Sequence, residues 1–236
     1  MPTPIDRELL RTIPLFAAMA EDALEVVLSA ATCRRYPLGE AVFVQGQTAD
    51  RFFVLMHGRL KVTQVTADGQ QIIIRMVNPG DIFGFAKALR RTDYPGTATA
   101  ATESLALCWP TEHWDDFIAR HPSLTTNAMQ ALGSRLQEAH TRIREMATEA
   151  VERRVAHAVL RLASQSGRKE AGGIRIDFPI SRHDIAEMTG TTLHTVSRIL
   201  SAWERAGLVD GGRQKLLVRA PHKLVLIADG DEPGYL

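Results

Sequence analysis

Five short apolar runs, 41–46 (AVFVQG), 51–58 (RFFVLMHG), 59–66 (RLKVTQVT), 70–77 (QQIIIRMV) and 104–110 (SLALCWP), are cut apart by turn signals. These fall at Leu38-Gly39, Gln45-Gly46, His57-Gly58, Ala67-Asp68-Gly69 and Asn78-Pro79-Gly80. After Pro110 the cuts stop, and apolar residues recur at steps of three and four as far as about Ser164. The first pattern is that of short strands about ten residues apart, hence a roll or sandwich, with Asp68-Gly69 marking a hairpin. The second is that of long helices. Ahead of the strands, Ile5, Leu9 and Leu10, then Ala23, Val26, Val27 and Ala30, fall at helical spacing on either side of Pro14, so residues 5 to 32 read as short helices.

Strands followed by helices make an α+β chain, and 236 residues suffice for two cores. The expected layout is a β-roll with flanking helices over 1–120, a long helix over 121–149 and a second domain over 150–236. On the long helix Leu132, Leu136, Ala139, Ile143, Met146 and Ala150 alternate steps of four and three, a seam suited to a second copy of the chain and hence to a homodimer. The same stripe would also suit packing against the chain's own roll, because Ala139 and Ala150 are weak core residues. A segment rich in Gly and charge, SGRKEAGG from Ser166, reads as a loop before a short strand, IRIDFPI.

Function is written most clearly in Ile180 to Val209. Ser181 and Asp184 have capping-box spacing and start a helix with Ile185, Ala186 and Met188 inward. Gly190 stands where the chain must turn tightly. Thr191 or Thr192 then caps a second helix whose buried stripe is Leu193, Val196, Ile199, Leu200 and Trp203, ending at Gly207. Its opposite face carries His194, Ser197, Arg198 and Ser201, with Thr192 and Arg182 flanking. In a helix-turn-helix that face enters the major groove of double-stranded DNA. Two strands around Gly211-Gly212 form a wing, with Arg213 and Lys215 as phosphate contacts. Charge agrees with this placement: 151–228 hold 13 Lys or Arg against 7 Asp or Glu, whereas 1–150 hold 15 against 17. An amphipathic helix pair with a basic surface would look similar without binding DNA.

The roll with Gly80 to Gly84 (GDIFG), the helix starting near His121-Pro122 and the segment His194-Thr195-Val196-Ser197-Arg198 occur in the order seen in bacterial CRP/FNR transcription factors, and the whole chain resembles that family. The resemblance implies a cyclic-nucleotide-binding-like double-stranded jelly-roll, a dimerisation helix and a winged helix-turn-helix. It also implies RNA polymerase as a partner. In the FNR branch the recognition helix carries Glu, then Ser and Arg three and four positions later. Ser197 and Arg198 match, and His194 replaces the Glu. Arg198 is thereby expected to read guanine and Ser197 an adjacent thymine or phosphate, giving a TTG…CAA type palindrome.

The effector residues of the family do not carry over. Phe85 stands where cyclic-AMP receptors place Glu, and Gly96-Thr97 stand near their Arg-Ser pair, so a buried phosphate would lack its guanidinium. Arg90 or Arg91 could substitute from the neighbouring turn. Ala139-His140 replace a Thr-Ser pair on the long helix. The expected effector pocket is Phe85, Ala86, Lys87, Gly96, Thr97, Ala139 and His140, and cyclic AMP is disfavoured. Two cysteines, Cys33 and Cys108, are too few for an iron–sulfur cluster and read as buried thiols in apolar surroundings. Lacking both ligand sets, the chain resembles the nitric-oxide-responsive NnrR and DNR types that control denitrification genes. Haem is then a candidate cofactor, with His57, His113 and His140 as candidate axial ligands.

No nucleophile, base and orienting residue converge, and no phosphate-cradling glycine loop occurs, so the chain is not expected to be an enzyme. His113, Asp115 and Asp116 are neighbours on one helix only. Every apolar run is broken before the roughly 20 residues a membrane span needs. The segment MPTPIDRELLRTIPLF has no basic n-region, so a cytoplasmic protein is expected. The alternative to a DNA-binding regulator is a cyclic-nucleotide-binding regulatory module whose last domain contacts protein, which would show no salt-dependent DNA affinity.

Overall fold

A computed structural model describes residues 10–232 and 234–235, so Ile5 and Leu9 of the first expected helix lie outside the described residues. The chain divides into two compact units, one running to Asp68 and resuming over Ile74–Ala139, the other made of Gly69–Ile73 and the chain from His140 onward. The division falls inside the long helix, after Ala139, whereas the sequence boundaries at 120 and 149 fall close to that helix's two ends.

A 3-10 turn, Pro14–Phe16, and helix α1 (Glu21–Ser29) lead into eight strands. These are β1 (Thr32–Tyr36), β2 (Ala41–Phe43), β3 (Arg51–His57), β4 (Leu60–Val65), β5 (Gln71–Val77), β6 (Ile82–Phe83), β7 (Thr97–Ala100) and β8 (Ser104–Pro110). They form two four-stranded sheets, ordered β1-β8-β3-β6 and β2-β7-β4-β5. Of these strands, β1, β6 and β7 were not anticipated. β1 replaces the end of the expected amino-terminal helical stretch because its backbone pairs with β8 from Thr32↔Cys108 to Tyr36↔Ser104.

β3 reads as an unbroken apolar run because both its faces are covered. Phe52 and Val54 point into a cluster with Phe16, Leu24, Val27 and Trp109, whereas Phe53 and Leu55 point into the roll with Phe43, Phe83 and Tyr94. β8 divides in the same way, Leu107 and Trp109 to one cluster, Ala106 and Cys108 to the other. The buried Trp109 indole donates to the Val27 carbonyl at 2.7 Å and so pins α1 to the sheet. Cys108 is buried as expected, but Cys33 is exposed, because β1 is an edge strand with only Tyr36 turned inward.

Helices α2 (His113–Arg120) and α3 (Pro122–Thr148) follow. Leu124 and Ala128, from the first turns of α3, are buried in the first of those clusters. Further along, Leu132, Leu136, Ala139, Ile143, Met146 and Ala150 are all exposed, and Met129 extends the same stripe.

The second unit continues with α4 (Val151–Ser166), β9 (Gly167–Glu170), β10 (Gly173–Ile176), α5 (Arg182–Thr189), α6 (Leu193–Arg205), β11 (Val209–Gly212), β12 (Lys215–Val218) and α7 (Pro221–Asp229), its sheet ordered β11-β12-β10-β9. The expected loop at SGRKEAGG is thus a strand and a tight turn. β9 is exposed throughout and held by backbone pairing with β10, from Gly167↔Ile176 to Glu170↔Gly173, so no apolar alternation announces it. Buried Glu145, near the end of α3, pairs with Arg161 of α4 at 2.6 Å.

Candidate DNA interface and effector cavity

The helix pair α5–α6 is built by local chemistry. The Ser181 hydroxyl accepts from the Asp184 amide at 3.0 Å while the Asp184 carboxylate accepts from the Ser181 amide at 2.9 Å, closing a capping box. α5 ends at Gly190 with φ 60 and ψ 42, a left-handed conformation that suits glycine. The Thr192 hydroxyl caps α6 by accepting from the Thr195 amide at 3.1 Å. Val196, Ile199, Leu200, Ala202 and Trp203 form the buried stripe. Leu193, expected in that stripe, is exposed: at 3.6 residues per turn it lies roughly 90° from the centre of the stripe.

His194 and Arg198 are exposed and Ser197 and Ser201 half-buried, all on the face opposite the stripe. Arg205 continues that face by one turn and was missed in the sequence, although its step of four from Ser201 is visible there. Arg182 is braced within the motif. Its guanidinium donates to the Ser197 carbonyl at 3.4 Å, the Ser201 hydroxyl at 3.3 Å and the Glu204 carboxylate at 2.9 Å, which ties the start of α5 to α6. The wing is real: β11 and β12 pair from Val209↔Val218 to Gly212↔Lys215, and the turn between them exposes Arg213 and Lys215.

Trp203 fixes the back of α6. Its fully buried indole donates to Glu152 at 2.8 Å, and the same buried carboxylate accepts from the Tyr235 amide at 2.9 Å.

In the first unit a cavity of about 270 Å³ opens between the roll and α3. Its walls are Phe43, Val62, Ile74, Ile82, Phe83, Phe85, Leu89 and Tyr94, closed by Ala128, Leu132 and Arg135 of α3. Arg75 and Arg135 are its only charged lining residues among those described. Both donate to the Ile82 carbonyl, at 3.2 and 2.8 Å, and both face the Asp81 carboxylate, at 3.7 and 3.4 Å. Burial pushes the Asp81 carboxyl above its ordinary value, a rise opposed by the Asn78 amide and Arg75.

The cyclic nucleotide-binding domain family matches residues 33–121 and the Crp-like helix-turn-helix domain family matches 153–227. The cyclic AMP receptor protein of Thermus thermophilus is 30% identical over 217 residues, covering 92% of this chain and 97% of that one. The chain belongs to the CRP/FNR family of transcriptional regulators. A cAMP-activated CRP-like global regulator of Mycobacterium tuberculosis is 24% identical over 95% of this chain and 96% of its own. The fold agrees with the solved structure of a CooA mutant from Carboxydothermus hydrogenoformans, with a TM-score of 0.73, 21% identity and coverage of 95% and 97% of the two chains. This CRP-family protein is thus a DNA-binding transcriptional regulator with an effector-binding domain.

The regulator's cavity holds three of the seven residues expected there, Phe85, Ala86 and Gly96. Lys87 turns away to pair with Asp115 at 2.6 Å, and the Thr97 hydroxyl accepts from the Gln45 amide at 3.0 Å. Ala139 and His140 lie a turn beyond Arg135, past the end of the cavity. A Cβ at Gly96 would stand 2.6 Å from the Thr63 carbonyl oxygen, so this position cannot present a phosphate-binding side chain without a backbone shift. The substitutes considered from sequence also miss: Arg91 pairs with Asp93 at 3.0 Å and neither it nor Arg90 lines the cavity. Arg75 and Arg135 were missed because nothing local separates a lining arginine from a surface one.

His57 and His140 are exposed, His113 stacks on Phe117 with ring centres 5.6 Å apart, and none of the three lines the cavity. No imidazole or thiolate stands on the cavity's walls, and Tyr94 is the lining residue with a side-chain oxygen. Among the described residues no group of three His, Cys, Asp or Glu could hold a metal ion, and no helix is long and apolar enough to cross a membrane.

Proposed function

We propose that the regulator acts in the cytoplasm as a homodimer that couples an effector in the roll cavity to binding of a TTG…CAA type palindrome. The observation that carries the proposal is the free face of α6, where His194, Ser197, Arg198 and Ser201 are aligned while the opposite face is buried under Trp203. Arg198 reads a guanine through its two-pronged guanidinium, Ser197 contacts the adjacent thymine or phosphate, and His194 faces the base that Glu reads in FNR proteins. Arg213 and Lys215 hold the flanking phosphates. Pairing along the exposed α3 stripe places two such faces about 34 Å apart, on successive major grooves. Effector binding shifts the population toward that spacing. RNA polymerase is the partner that the family resemblance supplies.

Neither cyclic AMP nor haem is the proposed effector. The walls offer the first no partners for a ribose or cyclic phosphate at Phe85 and Gly96, and offer the second neither an imidazole nor a thiolate.

A gel-shift titration of palindromic duplex at several salt concentrations tests the reading. Arg198→Ala should weaken specific binding by about 1–3 kcal/mol and relax specificity at the guanine, with the dimer intact. Arg213→Ala should weaken all sequences alike and reduce the salt slope by about one. Unchanged specificity in Arg198→Ala overturns the assignment.

A further inference from the structure

We infer that Ser201 reads DNA as a hydrogen-bond donor only, and that Arg182 is the positioning residue that sets this polarity without touching the duplex. The inference rests on reading the free face of α6 as the major-groove surface. It names what one position of that face recognises: a base edge that carries an acceptor, hence not cytosine.

At 3.6 residues per turn, Ser201 stands about 20° from His194 and within about 10° of the direction opposite the buried stripe of α6. Its side chain therefore points to the floor of a groove rather than to the rim. Arg182 lies beside it. One guanidinium nitrogen of Arg182 donates to the Ser201 hydroxyl at 3.3 Å and to the Ser197 carbonyl at 3.4 Å, while the other donates to the Glu204 carboxylate at 2.9 Å. Glu204 thus takes up the charge of Arg182. The wing lies against the same pair, because a Cβ at Gly211 of β11 would run into the Glu204 carboxylate. Arg182, a candidate DNA contact in the sequence, is in this way committed within the motif.

A serine inside a helix ordinarily turns its proton back to the carbonyl four residues before it. Here that carbonyl belongs to Ser197, and it already accepts the helical amide of Ser201 and the Arg182 guanidinium, which fills both lone pairs. The cation also orients the hydroxyl dipole, drawing the oxygen toward itself and turning the proton away. What faces outward is an O–H. An unconstrained hydroxyl serves donor and acceptor edges alike, but this one finds partners on guanine N7 or O6, adenine N7 or thymine O4. Cytosine presents only its N4 donor, so two donors would meet there with no acceptor between them.

The test is selection of bound duplexes from a pool randomised across both half-sites, using the full-length protein, Ser201→Ala, Arg182→Met and the double substitution, with the bases counted by sequencing. The unmodified protein should deplete cytosine at one position per half-site by about 2- to 12-fold, the equivalent of one neutral hydrogen bond. Ser201→Ala should erase that depletion and keep the guanine preference. Arg182→Met should reduce it, and should change nothing further at that position once Ser201 is alanine. A merely structural part for Arg182 would weaken binding to every sequence alike and leave the cytosine depletion in place, which overturns the inference. A fall of about one in the salt slope on Arg182→Met also overturns it, as the mark of a direct phosphate contact. An unchanged base profile in Ser201→Ala overturns it too, and that variant decides even if Arg182→Met does not fold, because alanine is the best helix former. The two readings stay apart: failure to select any sequence condemns the DNA assignment together with this one, whereas retained guanine selection with no effect of Ser201→Ala condemns this one alone.

Discussion

Ile143→Ala puts the dimer to a quantitative test. Ile143 is 64% exposed in the single chain, so pairing along α3 can remove about two-thirds of its surface from water. Full burial of such a side chain contributes about 1.5–3 kcal/mol, which leaves about 1–2 kcal/mol per copy. A symmetric seam counts the substitution twice, giving about 2–4 kcal/mol, or about 30- to 700-fold in the dimer dissociation constant. Retention of Cβ by alanine places the result toward the lower end. The helix itself is not harmed, because alanine has the higher helix propensity. Sedimentation equilibrium should show the weakened dimer, and a gel shift should show palindrome binding becoming more dependent on protein concentration while half-site binding is unchanged. A dimer constant within threefold of the original would mean that the stripe formed by Leu132, Leu136, Ala139, Ile143 and Met146 is not the interface, and the argument from exposed heptad spacing would fail.

Two further outcomes follow from buried polar groups. Glu152→Ala leaves the Trp203 indole N–H without an acceptor inside the second unit, and urea unfolding followed by tryptophan fluorescence should show a loss of about 2–3 kcal/mol; in a Trp203→Phe background the loss should shrink, and an undiminished loss would discredit the bond. Burial pushes the Tyr36 and Tyr94 hydroxyls up from 10.0 to about 12, so the stability they contribute as neutral groups is complete below about pH 10 and is lost as pH rises from there through about 12. An ultraviolet titration should show two tyrosines ionising late; Tyr94→Phe should leave one, and an unchanged late amplitude would refute the assignment.

What could be read in advance was whatever neighbouring residues decide among themselves. Ser181 with Asp184, Gly190, Thr192 and the spacing of Val196, Ile199, Leu200 and Trp203 are local: a cap, a left-handed turn and a 3.6-residue stripe need no knowledge of the rest of the chain. The strands β3 and β8 were legible for the same reason, as dense apolar runs between turns. β9 was not, since Gly167–Glu170 carries no apolar pattern and becomes a strand through the backbone of β10. Cys33 was misread because edge and centre strands look alike until the sheet is assembled, and Leu193 because a stripe drawn from spacing has no fixed margin.

By itself, the sequence determined the order of roll, long helix and winged helix-turn-helix, and the side chains that α6 presents, because period, caps and turns act over a few residues. Only the tertiary structure decided what the roll encloses. Arg75, Asp81 and Arg135 meet because β5, the turn before β6 and α3 converge there, and Ala139 and His140 fall outside because the cavity ends a turn earlier. A pocket is a relation among residues far apart along the chain, fixed by packing, and no local pattern records it.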